Sequence, residues 1–137
     1  FFGRCREILP SGGTMMLHTI VAFGFPNLKR RGIELTHENV LFAKFIGKEI
    51  FPGGQLMDPD RIIQHAEAAG FGLAQDQSLQ LHYARTLDTW AANLEARRAE
   101  AIEIASVEMY DRFMKYLTGC ADHFRPGPLH LPQFPAA

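Results

Sequence analysis

The chain has 137 residues, enough for one domain with a modest core. Apolar residues make up 47% of it and charged residues 21%, an ordinary globular balance. The formal net charge of -1 gives no electrostatic reason to expect nucleic-acid binding, and the basic clusters at 29–31 and 97–98 are short enough to be solvated surface.

The cysteines and the chain start bear on localisation. Cys5 and Cys120 lie too far apart to indicate a metal pair or a disulfide framework, so we expect reduced thiols in a cytoplasmic protein. No apolar run is long enough to span a bilayer. The first residues lack a signal-peptide pattern and an initiator methionine, so we expect position 1 to lie inside a longer sequence.

The first third of the chain predicts a helix, a strand and a loop. Residues 1–9 predict the end of a helix, which Pro10 stops. Residues 14–23 are mostly apolar, and this pattern predicts a strand buried on both faces of a parallel sheet. Residues 24–35 have no period and contain proline and glycine, so they predict a loop.

Two helices and a strand are predicted next. Thr36 is the predicted N-cap of a helix to about residue 50, whose wide apolar arc indicates either deep burial or the wall of an apolar cavity. Asp58-Pro59 predicts an N-cap with a first-turn proline, and Gly70 the matching C-cap. Residues 71–80 predict a strand. This order of elements is typical of half of a doubly wound α/β sheet.

The remainder predicts helices and an irregular tail. From about Thr86 the spacing is helical, with apolar residues at Leu87, Trp90, Ala91 and Leu94. A charged stretch follows. Ser106 then caps a helix whose apolar face carries Met109, Phe113, Tyr116, Leu117, Cys120 and Phe124. The tail at 126–137 holds four prolines, which makes it hard to pair as a central strand.

Two side chains are candidates for chemistry. His18 lies late in an apolar strand, at the end where parallel sheets bind ligands, but it is also compatible with a hydrogen-bonded core histidine. Tyr83 is compatible with a core aromatic whose hydroxyl reaches a turn. The sequence has no G-x-S-x-G elbow, P-loop lysine or H-E-x-x-H motif. From the residues alone, the prediction stops at an α/β half-domain.

Four longer segments carry a family resemblance: 17–20 (LHTI), 49–54 (EIFPGG), 78–88 (SLQLHYARTLD) and 114–121 (MKYLTGCA). In this order and spacing, they resemble the mycolic acid cyclopropane synthases and their methyl-transferring relatives, which are related to bacterial cyclopropane fatty acid synthase. The resemblance runs from residue 1 to about residue 125. It implies the C-terminal half of a Rossmann-like class I S-adenosylmethionine-dependent methyltransferase with an α-helical acyl-binding region, forming one partial domain over 1–137.

The resemblance also implies a reaction. The methyl group of S-adenosylmethionine is transferred to a cis double bond of a very long acyl chain, a carbocation forms, and bound bicarbonate removes a proton as the ring closes. In some relatives water captures the cation instead. By position, His18, the backbone of Ile20 and Tyr83 match the residues that hold bicarbonate. The positions that match the acyl channel are Phe51, Leu56, Leu87, Tyr116, Cys120 and Phe124.

The chain departs from the family in two places. The glycine-rich cofactor loop, the acidic ribose ligand and the remaining bicarbonate ligands would all lie before residue 1, so we expect no cofactor-binding residue in this chain. Where the family ends in a strand, only Gln133-Phe134 matches. The acyl chain is expected on an acyl carrier protein, and the uncovered sheet edge could cause self-association. The alternative is a non-catalytic remnant or an acyl-lipid-binding fragment with no cofactor site.

Overall fold

The structure, a computed structural model, describes residues 1–72, 77–125, 129–130 and 132–136. The α-helices in this part of the chain are α1 (Phe2–Ile8), α2 (Phe25–Arg31), α3 (His37–Phe45), α4 (Pro59–Ala68), α5 (Gln80–Ala96), α6 (Arg98–Ile104) and α7 (Val107–Phe124). A π-helical turn, Ile46–Ile50, continues α3. The strands are β1 (Met15–His18), β2 (Val21–Ala22), β3 (Gln77–Ser78), β4 (Leu129–His130) and β5 (Pro132–Ala136).

The sheet is built around the C-terminal strand. Its order is β1-β5-β3, and β5 runs antiparallel to both neighbours, while β2 and β4 form a separate antiparallel pair. The expectation that the proline-rich tail is hard to pair as a central strand is therefore wrong. The fixed φ of proline is compatible with extended backbone. Alternate residues of β5 (Pro132, Phe134, Ala136) are buried, so apolar burial stabilises a strand that the proline content argued against.

The predicted strand at 14–23 is interrupted. β1 ends at His18, and after Thr19 and Ile20 the chain continues as β2, which pairs with a different strand. Within β1, Leu17 packs towards α4, whereas Met16 and His18 are exposed. The strand is thus not buried on both faces, and no parallel pair occurs among the described strands.

The segment expected to be a loop contains α2. Gly24 is its N-cap, Pro26 lies in its first turn, and Gly32 ends it with a left-handed φ of 66°. Asp58 accepts hydrogen bonds from Gly24 N–H (2.6 Å) and from Nδ2 of Asn27 (2.8 and 2.9 Å). Proline and glycine therefore mark the start and end of a helix here rather than a loop.

Both predicted caps in the middle of the chain are confirmed. Thr36 and Asn39 form a capping box at the start of α3, and Asp58 accepts from the N–H of Asp60 at the start of α4. Deep burial of the wide apolar arc is not observed, because neither α3 nor the π-helical turn has a buried residue. Only part of that arc, including Phe42 and Ile46, packs inward.

The helical second half begins earlier than predicted. α5 begins at Gln80, so the strand predicted over 71–80 is reduced to β3, while residues 73–76 lie outside the described part of the chain. The charged stretch forms α6. Arg125, just after α7, binds Asp88 in α5 at 2.6 Å, and Tyr110 near the start of α7 donates to Glu95 near the end of α5. These two contacts show that α5 and α7 pack antiparallel.

Candidate functional site

A cluster of aromatic and sulfur-containing side chains lies between α5 and α7. Leu87 and Phe124 are 0% and 1% exposed, and Cys120 is also buried. Tyr83 and Tyr116 are half-buried against them. The Tyr83 ring meets the Phe124 ring edge-on, with centroids 5.0 Å apart. We call Tyr83, Leu87, Tyr116, Cys120 and Phe124 the aromatic-thiol cluster.

This cluster is uncharged at neutral pH. Burial, reinforced by the nearby Cys120 and Tyr83, raises the pKa of Tyr116 to about 12. Burial raises the pKa of the Cys120 thiol to about 12 as well. Burial and then Cys120 raise the pKa of Tyr83, so both phenols keep their protons. The cluster therefore offers aromatic faces and hydroxyl donors, but no fixed charge.

Ile20 connects the cluster to an open cleft of about 660 Å³. Its side chain packs against the cluster, and it also lines the cleft together with Leu17, Leu56 and Ile62. The cleft walls are mostly apolar. A mostly apolar cleft that shares Ile20 with an aromatic cluster suits an apolar chain better than a charged solute.

The structure brings together only some of the predicted site residues. Ile20 and Tyr83 pack against one cluster, as do four of the six channel positions. Phe51 is 53% exposed and reaches the cluster through Tyr116, their ring centroids lying 5.8 Å apart at 85°. Leu56 is half-exposed and lines the cleft instead. His18, the last residue of β1, is exposed and belongs to neither group.

Some residues of this region escaped the sequence prediction. Phe42 and Ile46 pack against the aromatic-thiol cluster, although the pattern of α3 did not separate them from their exposed apolar neighbours Val40 and Leu41. Trp90, predicted on the apolar stripe, is half-exposed, and its ring lies 6.4 Å from that of Tyr83. In an apolar arc this wide, periodicity alone cannot say which residues face inward.

Across the described ranges, no group of three or more His, Cys, Asp or Glu side chains could hold a metal ion. No helix in that part of the chain is long and apolar enough to cross a membrane. Cys5 and Cys120 are both free thiols.

The fold and the cluster together define an α/β methyltransferase-like half-domain with an apolar site. Residues 1–134 match the family model for mycolic acid cyclopropane synthetase, and the chain belongs to this family. Cyclopropane mycolic acid synthase 3 of Mycobacterium tuberculosis is 52% identical over 98% of the chain. The family predicted from the four segments is thereby confirmed.

Solved structures agree with this assignment. The cyclopropane synthase MmaA2 from Mycobacterium tuberculosis matches 100% of the chain with a TM-score of 0.94 and 47% identity. The mycolic acid cyclopropane synthase CmaA1, solved with SAH and CTAB, matches 99% with a TM-score of 0.90 and 44% identity. The predicted fold, the C-terminal half of a Rossmann-like methyltransferase, is confirmed. The chain spans about half the length of these relatives, 47% to 48% of each.

Proposed function

We propose that this chain forms the acyl side of an S-adenosylmethionine-dependent transferase that methylates or cyclopropanates double bonds of long unsaturated acyl chains, such as those of mycolic acids. The observation that carries the proposal is the contact of Ile20 with both the cleft and the aromatic-thiol cluster, in a member of this family. In this proposal an acyl chain lies in the cleft and extends past Ile20 towards the cluster, which contains no carboxylate or ammonium group.

The cluster suits a reaction that develops positive charge on the acyl chain. S-adenosylmethionine, when bound, supplies the methyl group, and we assign no residue of this chain to its site. Tyr83, Tyr116 and Phe124 are the aromatic residues that we place beside the reacting carbons. An aromatic face attracts a desolvated cation by about 2 kcal/mol. Since the cluster contains no carboxylate, the cation would find stabilisation there without a permanent counter-ion.

Tyr83 and Ile20 are proposed ligands of a bound bicarbonate. Tyr83 is half-buried, and its ring meets that of Phe124 edge-on, so its hydroxyl is a donor at the cluster. Its raised pKa keeps it protonated and therefore able to donate to an anion. The Ile20 backbone is proposed as a second ligand and His18, two residues earlier, as a third. Oriented in this way, the anion could act as a general base.

The cellular location and the carrier of the substrate are also part of this proposal. We propose a cytoplasmic enzyme whose acyl substrate is carried on an acyl carrier protein. The support is the family membership.

The first experiment is calorimetric titration of the chain with S-adenosylhomocysteine, with full-length CmaA1, which was solved with this ligand, as the control. We expect binding by CmaA1 and none by the chain, because no residue here is assigned to the cofactor. Micromolar binding by the chain would contradict that assignment. If the chain binds neither S-adenosylhomocysteine nor a long-chain amphiphile, the proposed acyl site is wrong. If it binds only the amphiphile, the acyl site is supported, and catalysis is tested by the variants below.

The catalytic roles are tested in a longer protein that contains this chain and a cofactor-binding half. His18→Ala and Tyr83→Phe should abolish or cripple turnover and leave cofactor affinity nearly unchanged, since the anion site is separate from the adenosine site. Tyr110→Phe is a matched control, because that phenol binds Glu95 on the far part of the helix pair. If turnover by His18→Ala and Tyr83→Phe equals wild type, the assigned roles are wrong. If these two variants lose turnover and Tyr110→Phe keeps it, the result supports an enzyme over a non-catalytic acyl-binding fragment.

A further inference from the structure

The π-helical turn Ile46–Ile50 connects α3 to the channel residue Phe51. Its first residue, Ile46, packs against the aromatic-thiol cluster, but none of the residues of the turn is fully buried. The Phe51 N–H donates to the Ile46 carbonyl at 2.9 Å, which closes the last wide turn. Beyond it, Gly53 adopts a left-handed φ of 76° in an exposed turn. π-Helical segments are rare and often occur at functional sites. Because the residues after Ile46 are not part of the core, contacts with another element also contribute to the position of Phe51.

Two contacts join this turn to one face of α7. Oε2 of Glu49 lies 3.3 Å from Nη2 of Arg112, and the Phe51 ring lies edge-on to Tyr116. Arg112 and Tyr116 are four residues apart, so they occupy neighbouring positions on the same helix face. The ion pair and the ring contact therefore act on the same short segment from the same side.

The Glu49–Arg112 ion pair is less exposed to solvent than the other charged contact of this segment. The side chains of Glu49 and Arg112 are 30% and 37% exposed, whereas Lys48, which also contacts Glu49 at 3.2 Å, is 82% exposed. Solvent screens the Lys48 contact strongly, so it contributes little. Arg112 is the partner that connects Glu49 to another element.

We infer that the Glu49–Arg112 ion pair is a positioning device that holds Phe51 against Tyr116 and thereby sets the acyl-chain affinity of the channel. Glu49 and Arg112 are positioning residues, because they act through Phe51. The inference rests on the proposed function, since it assigns a role in acyl binding to residues outside the aromatic-thiol cluster. Loss of the pair would let the π-helical turn and Phe51 move away from α7 and leave one channel wall incomplete.

The test is binding of hexadecyltrimethylammonium, below its micellar concentration, to the 137-residue chain. Trp90 is the only tryptophan and lies beside Tyr83, so its fluorescence reports binding, with calorimetry as a second readout. Octyltrimethylammonium carries the same head group on a short chain and separates chain binding from head-group binding. Glu49→Gln should weaken binding of the long chain about two- to fivefold, the range of a half-exposed ion pair.

A double-mutant design separates positioning from general destabilisation. In a Phe51→Ala background, Glu49→Gln should have no further effect on affinity, because the pair acts through Phe51. The charge swap Glu49→Arg with Arg112→Glu should restore most of the affinity. Lys48→Gln and Glu100→Gln, which change exposed charges only, should bind like wild type.

The outcomes distinguish this inference from the proposed function. If wild type does not bind the long chain, the acyl-site proposal itself is wrong. If wild type binds and Glu49→Gln binds equally well, or if the Glu49→Gln effect persists in Phe51→Ala, the positioning inference is overturned while the acyl site stands. Thermal unfolding of each variant checks that it is folded at the temperature of the titration.

Discussion

Gly119 on α7 provides the most quantitative prediction, because the Phe42 ring occupies the space beside it. A Cβ added at Gly119 would lie 2.6 Å from Cζ of Phe42 and closer still to Cε2. Since carbon atoms in contact prefer about 3.5 to 4.0 Å, the ring would have to retreat by roughly 1 Å or more. The ring cannot do so freely, because it stacks on His123 with centroids 4.3 Å apart. His123 in turn lies 3.1 Å from the Asn39 amide.

Two opposing terms determine the effect of Gly119→Ala. Replacing glycine by alanine inside a helix stabilises it by about 1 kcal/mol. Forcing extra volume into a packed contact costs about 1–3 kcal/mol. We therefore expect a net loss of about 1 kcal/mol in the free energy of unfolding. In a Phe42→Ala background the clash is gone, so the same Gly119→Ala change should stabilise by about 1 kcal/mol.

The assay is urea unfolding followed by far-ultraviolet circular dichroism, at a concentration where the oligomeric state is constant. Gly3→Ala in α1 is the control, since nothing lies within 4 Å of its added Cβ and only the propensity gain should appear. A Gly119→Ala effect of the same sign with and without the Phe42 ring would refute the steric reasoning.

Three further predictions concern ionisation and assembly. Because its raised pKa of about 12 keeps Cys120 protonated, an aromatic disulfide reagent at pH 8 should label Cys5 first and Cys120 only on unfolding; equal rates would contradict this. Burial alone would raise the pKa of Asp58, but hydrogen bonds from Asn27, Gly24 and Asp60 lower it. The contribution of Asp58 to the free energy of unfolding should therefore be fully present above the pKa of the unfolded state, about 3.9. It should be lost as the pH falls through the lower pKa of the folded state. Asp58→Asn should cost about 1–2 kcal/mol and flatten that pH dependence in acid unfolding curves. Finally, one edge of β1 has no partner strand among the described strands. We therefore expect self-association in sedimentation or a low free energy of unfolding in urea. A cooperatively folded monomer at high concentration would contradict this.

Features that depend on local chemistry were predictable. The caps at Thr36, Asp58 and Ser106 were identified because a short polar side chain before an apolar run satisfies free N–H groups wherever it occurs. The core positions Leu87 and Cys120 followed from helical spacing for the same reason. The family followed from four segments in register, and the matched family model confirms it.

The candidate site was predictable as a set of positions but not as an arrangement. Resemblance identified Tyr83, Tyr116 and Phe124, and the structure packs them together. It could not indicate that Phe51 is half-exposed and depends on a neighbouring ion pair, because Glu49 and Arg112 are 63 residues apart and interact only after α7 has packed beside the π-helical turn.

What the sequence by itself determined is the starts of α3, α4 and α7, most of the helical core and the family. The tertiary structure decided the partner and exposure of each segment. The proline-rich tail became the central strand because Phe134 and Ala136 could be buried between β1 and the helices, and its proline content alone could not reveal that partner. His18 became exposed because the pleat of β1 turns alternate residues to opposite faces and only the Leu17 face is covered. Local patterns specify backbone conformation, but burial is a property of two surfaces in contact, and the second surface comes from a distant part of the chain.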